Sequence, residues 1–492
     1  MALCFAVAAS ITALRDGIWL DEFFSLHFSM PEVGFFELLR TRWLVEYNPI
    51  TSNILFWLVR MTGVDDPVMG RLALNLPALA LLSAATLLFL FKGTRGRMFY
   101  PTLAALALGY LSTPIYFSEF RSYFWQLTGA VIAVQYIHFI FNDRRLADRE
   151  RLSTLHVIGG LGLFLSICLH YVTGLLMSVV HALTMIALIR SGRRRAAIRM
   201  AMAVAPSWLL MLAIAYAQAR STLGVADVWW VTTTTSGAFA IFRSVEFNLL
   251  LTSPPALGLA ALHLVKRLPR RISGAVPAIL AATLVLGVSA LLAVNAATPI
   301  IIERYMIGFA VIGVALIATF ASEPLARSRI AFAAVLLWSL AVIGYQSARA
   351  PASGWEVGAR AVAGVVRACP ATQVLAASSW RFTPQRATNT ARIERETMAF
   401  AYQWLGRRSG FAVGVLDNAA PVQIAPGPVC PTLIWVEHLA GMENVSPETL
   451  LERGRIQVAG PHRLRLIDTN SGGVVLVDRD PRVGSDGPPS PR

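Results

Sequence analysis

The chain has 492 residues, of which 55% are hydrophobic and only 14% are charged. Soluble domains carry about 25% charged residues, so this deficit argues against an ordinary soluble protein and indicates many membrane-spanning segments. The formal net charge is +15, but the basic residues lie in short clusters between apolar runs. We therefore expect no nucleic acid partner and interpret the clusters as cytoplasmic loops that obey the positive-inside rule.

Eleven segments have the length and composition of spanning helices, which need about 20 mostly apolar residues. The first is short, because fourteen helical residues extend only about 21 Å against a hydrocarbon core of about 30 Å. No basic residue precedes it, which argues against a signal peptide, and we expect the true start to lie upstream. The segments are 1–14, 67–91, 98–115, 124–142, 154–170, 172–189, 200–218, 244–265, 274–297, 305–321 and 330–347.

The loops between these segments differ in charge, and the difference predicts the orientation of the chain. The five loops after the even-numbered segments hold eighteen Lys and Arg residues, whereas the four loops on the opposite side hold four. Because the basic side is cytoplasmic, the long loop 15–66 and the C-terminal third are predicted to lie outside. Within that loop, 48–63 is apolar but too short to span, and we interpret it as a helix along the outer membrane surface.

From about residue 348 the composition becomes that of a small α/β domain. The periodicity of 354–369 predicts an amphipathic helix, and 372–378 and 432–439 have the pattern of buried strands. Residues 463–479 are predicted to form two strands joined by an Asn-Ser-Gly-Gly turn. The chain is therefore divided into a transmembrane domain (1–347), an extracytoplasmic α/β domain (348–479) and a disordered tail rich in Pro, Gly and Ser (480–492).

Four cysteines are distributed between these parts. Cys4 and Cys168 lie in apolar segments and are interpreted as packing residues. Cys369 and Cys430 lie in the outer domain, where an oxidising compartment permits a disulfide. Whether they pair stays open, because two cysteines of one domain need not be close in space.

Two adjacent carboxylates, Asp21 and Glu22, follow the first apolar segment in the stretch GIWLDEFFSLHFS. One interpretation is a solvated helix end with two ordinary carboxylates. Against it, Trp19, Phe23 and Phe24 surround the pair with apolar surface, and ionised groups at such a boundary are costly and often functional. We therefore treat the pair as a candidate general base and its helper.

Three other outer loops carry polar residues among aromatic ones. Taken singly, they are compatible with an interfacial aromatic belt, a snorkelling arginine or a structural histidine. Taken together, they gather carboxylates, arginines and a histidine on one face of the membrane. Because arginine suits phosphate, a base beside arginines predicts a reaction on a lipid-linked phosphate ester. The candidates are Tyr116, Glu119, Arg121, Tyr123, His170, Glu303 and Arg304.

Residues 15–345 resemble the GT-C membrane glycosyltransferases, and among them the glycosyltransferase-39-like group. That group includes protein O-mannosyltransferases, aminoarabinose transferases that act on lipid A, and Rgt-type sugar transferases. Its first-loop pattern W-x-D-E-x-x-S is matched by Trp19, Asp21, Glu22 and Ser25. Its loop pattern Y-x-x-E-x-R-x-Y is matched by Tyr116, Glu119, Arg121 and Tyr123.

Shorter patterns of the group are matched in part. Arg71, Leu72, Pro77 and Ala78 match the start of its second span, and Arg304 with Tyr305 matches a late Arg-Tyr pair. The H-P-P-L pattern of its surface helix is only partly present, because Asn48 replaces the histidine before Pro49 and Ile50. This departure weakens the case for a metal at that position.

The resemblance implies an inverting glycosyltransferase of a bacterial cytoplasmic membrane, with its site and C-terminal domain on the extracytoplasmic side. Its donor would be a polyprenyl-phosphate sugar, and its acceptor a glycan, a lipid or a protein of the cell envelope. Asp21 would be the general base, and Glu22 would orient the acceptor or, with His170 as a second candidate ligand, help to bind a divalent metal. Arg121 and Arg304 would bind the donor phosphate, and the supporting residues would be Glu119, Tyr123, Tyr116, His170 and Glu303.

Two other classes share some of these features. A transporter or flippase of lipid-linked sugars also has many spans, but transporters place their charges near the membrane midplane in broken helices. A sensor with a ligand-binding outer domain has no reason to group a base and arginines at the membrane. The position of the charges at the outer rim favours the enzyme.

Overall fold

A computed structural model describes residues 1–15, 17–45, 48–143, 153–222, 234–265, 273–297, 299–349, 354–377, 389–416, 420–437, 446–469 and 472–480. The chain divides into two compact units. The membrane-spanning unit comprises Met1–Leu14 and Phe28–Ala350, and the C-terminal unit comprises Arg15–His27 and Pro351–Arg492. The segment with the Asp-Glu pair thus groups with the C-terminal unit, whereas the sequence analysis assigns it to the loop of the first domain.

All regular elements before residue 373 are helical in the described ranges. Two irregular turns lie in the first long loop, a 3₁₀ turn at Pro31–Val33 and a π turn at Leu39–Trp43, and a 3₁₀ turn at Glu303–Tyr305 precedes a late span. The helices in chain order are α1 (Ala2–Arg15), α2 (Leu20–Phe28), α3 (Phe35–Leu38), α4 (Ile50–Arg60), α5 (Pro67–Lys92), α6 (Phe99–Leu108), α7 (Thr113–Phe117), α8 (Tyr123–Asn142), α9 (Thr154–Cys168), α10 (Tyr171–Arg190), α11 (Arg194–Thr222), α12 (Thr235–Thr252), α13 (Pro254–Val265), α14 (Ala275–Ala297), α15 (Ile307–Arg327) and α16 (Arg329–Arg349).

Seven helices of the described residues are long and apolar enough to cross a membrane, or up to nine if each of two bent pairs forms one span. Three shorter apolar helices, α4, α6 and α9, accompany them. The last two lie within predicted spans, and α4 forms where the sequence predicts a surface helix. The predicted polytopic helical architecture is confirmed, and the approximate number of spans is consistent with it.

Two predicted spans are interrupted in the structure, so neither forms a single continuous helix. The predicted span 244–265 breaks between α12 and α13, which are bent by 87°. The break falls at Ser253, because Pro254 lacks an N–H and restricts the residue before it. The predicted span 98–115 ends at Leu108, where Gly109 approaches α16 so closely that a Cβ atom would lie 2.7 Å from the Ser339 Cβ. Pro114 then opens the separate helix α7.

Helix α8 lies at the centre of the membrane-spanning unit, and nearly all of its residues are buried. Glycines allow α9 to pack directly on it. A Cβ atom at Gly159 would lie 2.3 Å from the Tyr136 ring, and one at Gly162 would lie 2.5 Å from Ile132. In a lipid bilayer the hydrophobic effect does not drive helices together, so spanning helices associate through close van der Waals packing. Small residues at the crossing allow that close approach.

The C-terminal unit contains a five-stranded mixed sheet and a separate two-stranded one. The larger has the order β2-β1-β4-β7-β6, with β1 parallel to β2 and β4, and β7 antiparallel to β4 and β6. Every residue of β4 is buried, as expected for a central strand. The elements are α17 (Gly354–Ala368), β1 (Gln373–Ala376), α18 (Asn389–Ser409), β2 (Gly414–Val415), β3 (Val422–Ile424), β4 (Thr432–Glu437), α19 (Pro447–Arg453), β5 (Ile456–Val458), β6 (His462–Asp468) and β7 (Gly472–Arg479).

The sequence predicts the main elements of this unit. The amphipathic helix appears as α17, the two buried strands as β1 and β4, and the predicted pair of strands as the antiparallel β6 and β7. The tail 481–492 lies outside the described residues. Cys369 and Cys430, whose pairing the sequence leaves open, form a disulfide in the structure, with their Cα atoms 5.7 Å apart.

The disulfide gives a first prediction. Before reduction, denatured protein should show two reactive thiols, from Cys4 and Cys168, and after reduction it should show four. The bridge joins residues 61 positions apart, so the double variant Cys369→Ser/Cys430→Ser should lose about 4 kcal/mol of unfolding free energy in the chain-entropy account. Quantitative thiol labelling and thermal unfolding measure the two effects.

Cys4→Ser is the matched control, since it removes a free and exposed thiol. It should leave one reactive thiol before reduction and an unchanged melting temperature. Four reactive thiols in the unreduced, freshly isolated protein would contradict both the pairing and an oxidising location for this unit.

Candidate functional site

The Asp-Glu pair lies in the first turn of α2, within the C-terminal unit. A carboxylate oxygen of Glu22 accepts a hydrogen bond from the backbone N–H of Trp19 at 3.2 Å. Trp19 immediately precedes the helix, so Glu22 makes the reach-back half of a capping box. Negative charge in the first turn also favours the helix dipole. Glu22 therefore has a structural role whatever else it does.

The two carboxylates differ in their exposure. Glu22 is fully buried, whereas Asp21 is partly exposed. Ser25, one helical turn further on, donates its hydroxyl to the Asp21 backbone carbonyl at 3.2 Å. Of the pair, Asp21 is the carboxylate that solvent or a substrate can reach.

The other candidates lie in the membrane-spanning unit, and several of them gather around His170. This residue precedes α10 and caps it, because its Nδ1 accepts from the Val172 N–H at 3.3 Å. The imidazole packs against the Tyr305 ring with the centroids 4.2 Å apart. The Arg304 guanidinium lies 5.8 Å from the centre of the same ring.

The charges of two arginines reach His170. Its pKa is lowered from 6.5 to about 3, first because it is buried and then because Arg121 and Arg304 both disfavour a second positive charge. Arg121 is itself buried, and its guanidinium lies 5.7 Å from the centre of the Tyr123 ring. The structure therefore brings both Arg121 and Arg304 within electrostatic range of His170.

Tyr116, Glu119 and Glu303 adjoin this cluster. The Tyr116 and Tyr123 rings are 5.7 Å apart. Burial raises the pKa of Tyr116 well above its usual value, and the charges of Tyr110, Glu119 and Glu303 act in the same direction. The sequence-predicted supporting residues of this unit thus belong to one neighbourhood.

Three further polar residues of this neighbourhood, Ser244, Asn248 and Tyr110, belong to no sequence motif. Glu303 accepts hydrogen bonds from the Ser244 hydroxyl at 3.1 Å and from the Asn248 amide at 3.2 Å. Asn248 also hydrogen-bonds to Tyr110, whose pKa is raised by burial and by the charge of Glu303. Asn248 stands in the apolar stretch VEFNLLL, and a polar residue within an apolar span was the signal that could have found it.

A buried hydrogen-bond network fixes the two loops that carry Arg121 and His170. The Ser52 hydroxyl, on the predicted surface helix α4, donates to the Leu169 carbonyl at 2.7 Å and lies 3.0 Å from the Ser122 hydroxyl. Gln126 donates to Ser122 at 3.1 Å and accepts from Thr173 at 3.2 Å. Leu169 precedes His170 in the chain, and Ser122 follows Arg121. Ser52 therefore links both loops by hydrogen bonds.

The donor set for a metal is not assembled in the part of the chain that the structure describes. There, no three His, Cys, Asp or Glu side chains come together in an arrangement that could hold a metal ion. Glu22 and His170 are the sequence-based candidates, and each is engaged with a neighbouring backbone N–H. A metal role for either stays a prediction.

Comparison with solved structures identifies the fold of this chain. The crystal structure of ArnT from Cupriavidus metallidurans bound to undecaprenyl phosphate matches 96% of this chain and 96% of its own, with a TM-score of 0.52 and 11% identity. The chain has a GT-C membrane glycosyltransferase fold. The apo structure of the same enzyme also matches, with 97% coverage of each chain, 11% identity and a TM-score of 0.49. No family model and no curated protein matches the sequence.

The GT-C fold agrees with the resemblance that the Asp-Glu and Glu-x-Arg patterns indicate. At 11% identity the likeness carries the fold alone, so the roles of individual residues rest on this chain's own geometry. That geometry brings together the candidates of the membrane-spanning unit, and it shows Asp21 as the accessible member of the Asp-Glu pair.

The lowered pKa of His170 gives a second prediction. A histidine whose folded-state pKa is depressed contributes stability above its unfolded pKa of about 6.5, and this contribution is lost as the pH falls towards about 3. His170→Asn removes the titrating group but keeps a good helix cap. The difference in melting temperature, wild type minus variant, should therefore shrink as the pH falls from 7 to 4. A difference that grows over that range would show that His170 becomes protonated in the folded protein.

Proposed function

We propose that this protein is an inverting glycosyltransferase, which transfers a sugar from a polyprenyl-phosphate donor to an acceptor of the cell envelope. The observation that carries the proposal is the grouping of two arginines with His170 at the ends of apolar helices: Arg304 and His170 both contact the Tyr305 ring, and the buried Arg121 lies within electrostatic range of His170. A fixed positive site at the end of membrane spans suits a phosphate whose hydrocarbon chain stays in the lipid. The match over 96% of the chain to an enzyme crystallised with undecaprenyl phosphate supports the same donor class.

The proposed reaction is a direct displacement at the anomeric carbon. A hydroxyl or amine of the acceptor forms the new bond as the bond between the anomeric carbon and the phosphate oxygen breaks. The acceptor's proton passes to the Asp21 carboxylate, and the electron pair leaves with the polyprenyl phosphate. Attack from the face opposite the phosphate inverts the anomeric centre. Since phosphate leaves without protonation, one base is enough, in contrast to the two carboxyl groups of a glycosidase.

Arginine is suited to the leaving group in two ways. Its planar guanidinium can hold two phosphate oxygens at once. It also stabilises the charge that develops on the departing oxygen, which is where fixed positive groups accelerate such a reaction. We assign this role to Arg121 and Arg304, with Tyr116, Tyr123 and His170 as the surfaces that shape their surroundings.

We assign the two remaining carboxylates to recognition. Glu303 is exposed and is oriented by Ser244 and Asn248, so it can accept hydrogen bonds from hydroxyl or amino groups of a sugar. Glu119 is buried beside the arginine loop and would orient that loop. The acceptor is a glycan, a lipid or a protein of the cell envelope, and the charge of the loops predicts that transfer takes place on the outer face of the membrane.

The direct test uses purified protein in proteoliposomes with a panel of radiolabelled undecaprenyl-phosphate hexoses and pentoses, and with envelope extract as the acceptor source. The proposal expects label in an extract component, release of undecaprenyl phosphate and an inverted anomeric configuration. Label that crosses the bilayer still attached to undecaprenyl phosphate would instead identify a flippase.

The base assignment gives a third prediction. Asp21→Asn should lower transfer by about 10²- to 10⁴-fold, because an amide cannot take the acceptor's proton. Asp66→Asn is the matched control, since Asp66 caps α5 through the N–H groups of Val68 and Met69 and asparagine caps equally well. Single-turnover release of polyprenyl phosphate measures both variants. Near-normal transfer by purified Asp21→Asn would remove Asp21 from the mechanism.

The phosphate assignment gives a fourth prediction. Substitution of either arginine, in Arg121→Lys or Arg304→Lys, keeps the positive charge but removes the planar guanidinium group that can hold two phosphate oxygens. Each variant should therefore use the donor about 10- to 100-fold less efficiently, the equivalent of one charge-assisted hydrogen bond. The loss should appear in the dependence on donor concentration, or in the rate if the contact forms mainly as the phosphate departs. The apparent affinity for the acceptor should change little.

Arg220→Lys is the control for this pair. Like Arg121, Arg220 lies 5.7 Å from the centre of a tyrosine ring, but it is exposed on α11. Its substitution should leave donor kinetics unchanged. If Arg121→Lys and Arg304→Lys behave like the control, the phosphate is held elsewhere and both arginines are structural.

A further inference from the structure

The helix with the Asp-Glu pair, α2, packs on two helices of the C-terminal unit through one face. The Phe23 ring lies 5.3 Å from the Trp355 ring of α17 and 6.0 Å from the Trp404 ring of α18. One turn later, the His27 ring lies 5.4 Å from the Phe400 ring of α18. Residues four apart lie on the same side of a helix, so Phe23 and His27 define the packed face.

A buried hydrogen bond fixes the orientation of this face. His27 Nδ1 lies 2.8 Å from the Thr397 hydroxyl oxygen, and both residues are buried. The single hydroxyl proton of Thr397 is donated to the Ile393 carbonyl at 2.9 Å. Thr397 must therefore accept from His27, which places a proton on Nδ1. The bond sets the rotation of α2 as well as its contact.

The surface under this face is tied to the centre of the sheet. Trp355 contacts Tyr402 with the ring centroids 5.0 Å apart, and Tyr402 contacts Trp435 of β4 at 4.9 Å. The Tyr402 hydroxyl accepts from the Glu437 N–H at 2.7 Å and donates to the Ala377 carbonyl at 3.2 Å. A continuous series of buried rings thus connects α2 to the central strand, so α2 is supported by the rigid part of this unit.

We propose that the C-terminal unit is the positioning element for the catalytic base. Phe23, His27 and Thr397 fix the position and rotation of α2, and this determines where Asp21 directs its carboxylate. Asp21, two residues before Phe23, is turned away from the packed face and stays partly exposed. The proposal rests on the proposed function in that Asp21 is the base. It assigns a role to a domain for which the sequence patterns indicate none.

The first experiment needs no substrate and uses the full-length protein. Thr397→Val keeps the volume of the side chain but leaves the buried His27 N–H without its acceptor, which should raise amide hydrogen exchange over residues 20–28 by roughly tenfold or more. Thr432→Val is the matched control, because Thr432 is also buried and donates to a backbone carbonyl, Ala425, at 2.9 Å in the same unit.

Thr397→Ser retains the hydroxyl and should restore slow exchange. Phe23→Ala tests the packed face independently and should also speed exchange over the same residues. If exchange over 20–28 is the same in Thr397→Val and Thr432→Val, the hydrogen bond does not hold α2 and the proposal is overturned.

The second experiment tests positioning through transfer kinetics. Thr397→Val should lower kcat by roughly 10- to 100-fold, the range typical of a displaced catalytic group, while KM for the undecaprenyl-phosphate sugar stays constant. Thr397→Ser should recover kcat. In the Asp21→Asn background, Thr397→Val should have no further effect, since a residue that acts through the base has nothing left to position.

The outcomes distinguish the assignment of Asp21 as the base from the positioning role of Thr397. If Asp21→Asn retains transfer, the base assignment of the proposed function fails. If Asp21→Asn is inactive but Thr397→Val has wild-type kcat, the base stands and the positioning role is overturned. A Thr397→Val loss that is equal in the presence and absence of Asp21 also overturns it, because it shows general damage to the protein.

Discussion

The membrane-spanning unit must hold two guanidinium groups among apolar helix ends, and this constraint organises the residues around them. A cation at such a boundary is costly unless polar groups and π-faces surround it. Arg121 is buried and lies over Tyr123, and Arg304 lies over Tyr305. The tyrosines of the two loops thus offer π-faces to a buried arginine, Arg121, and to a half-buried one, Arg304.

The same constraint explains the role of α4. Its apolar stretch is too short to span the membrane, but its buried residue Ser52 links the loops that carry Arg121 and His170. Irregular backbone at a membrane boundary has N–H and C=O groups that must find partners within the protein. Ser52 supplies one of those partners to the Leu169 carbonyl, and Ser122 and Gln126 extend the network through side-chain hydrogen bonds. The helix α4 thus contributes order to the site without contributing charge.

Much of the fold follows from the sequence, and less of the site does. The apolar segments, the amphipathic helix 354–369 and the predicted strands are local patterns, and helices and strands form close to their predicted places. A count of apolar residues does not reveal the interrupted spans, because Pro254 and Gly109 act through backbone geometry and close packing.

The sequence motifs contain the candidates Arg121 and Arg304. Tyr110 and Asn248 belong to no motif, and only the fold brings them close to Glu303. The grouping of 15–27 with the C-terminal unit depends on contacts across more than 300 residues, such as His27 with Thr397, and no local pattern predicts it.

Two of the candidate carboxylates show how a structural and a functional interpretation can hold together. Glu22 caps its own helix, and this alone accounts for its position, so its presence in a family-like motif is weak support for catalysis. Asp21 also lies in the first turn, where its charge interacts favourably with the helix dipole, and it is the more exposed of the two. The pKa of His170 depends on the charges around it. Burial lowers the pKa of His170, and both arginines lower it further because each disfavours a second positive charge on the imidazole. An anion bound there would be stabilised by the same two guanidinium groups that disfavour the imidazolium, which supports the proposed phosphate-binding role of both arginines.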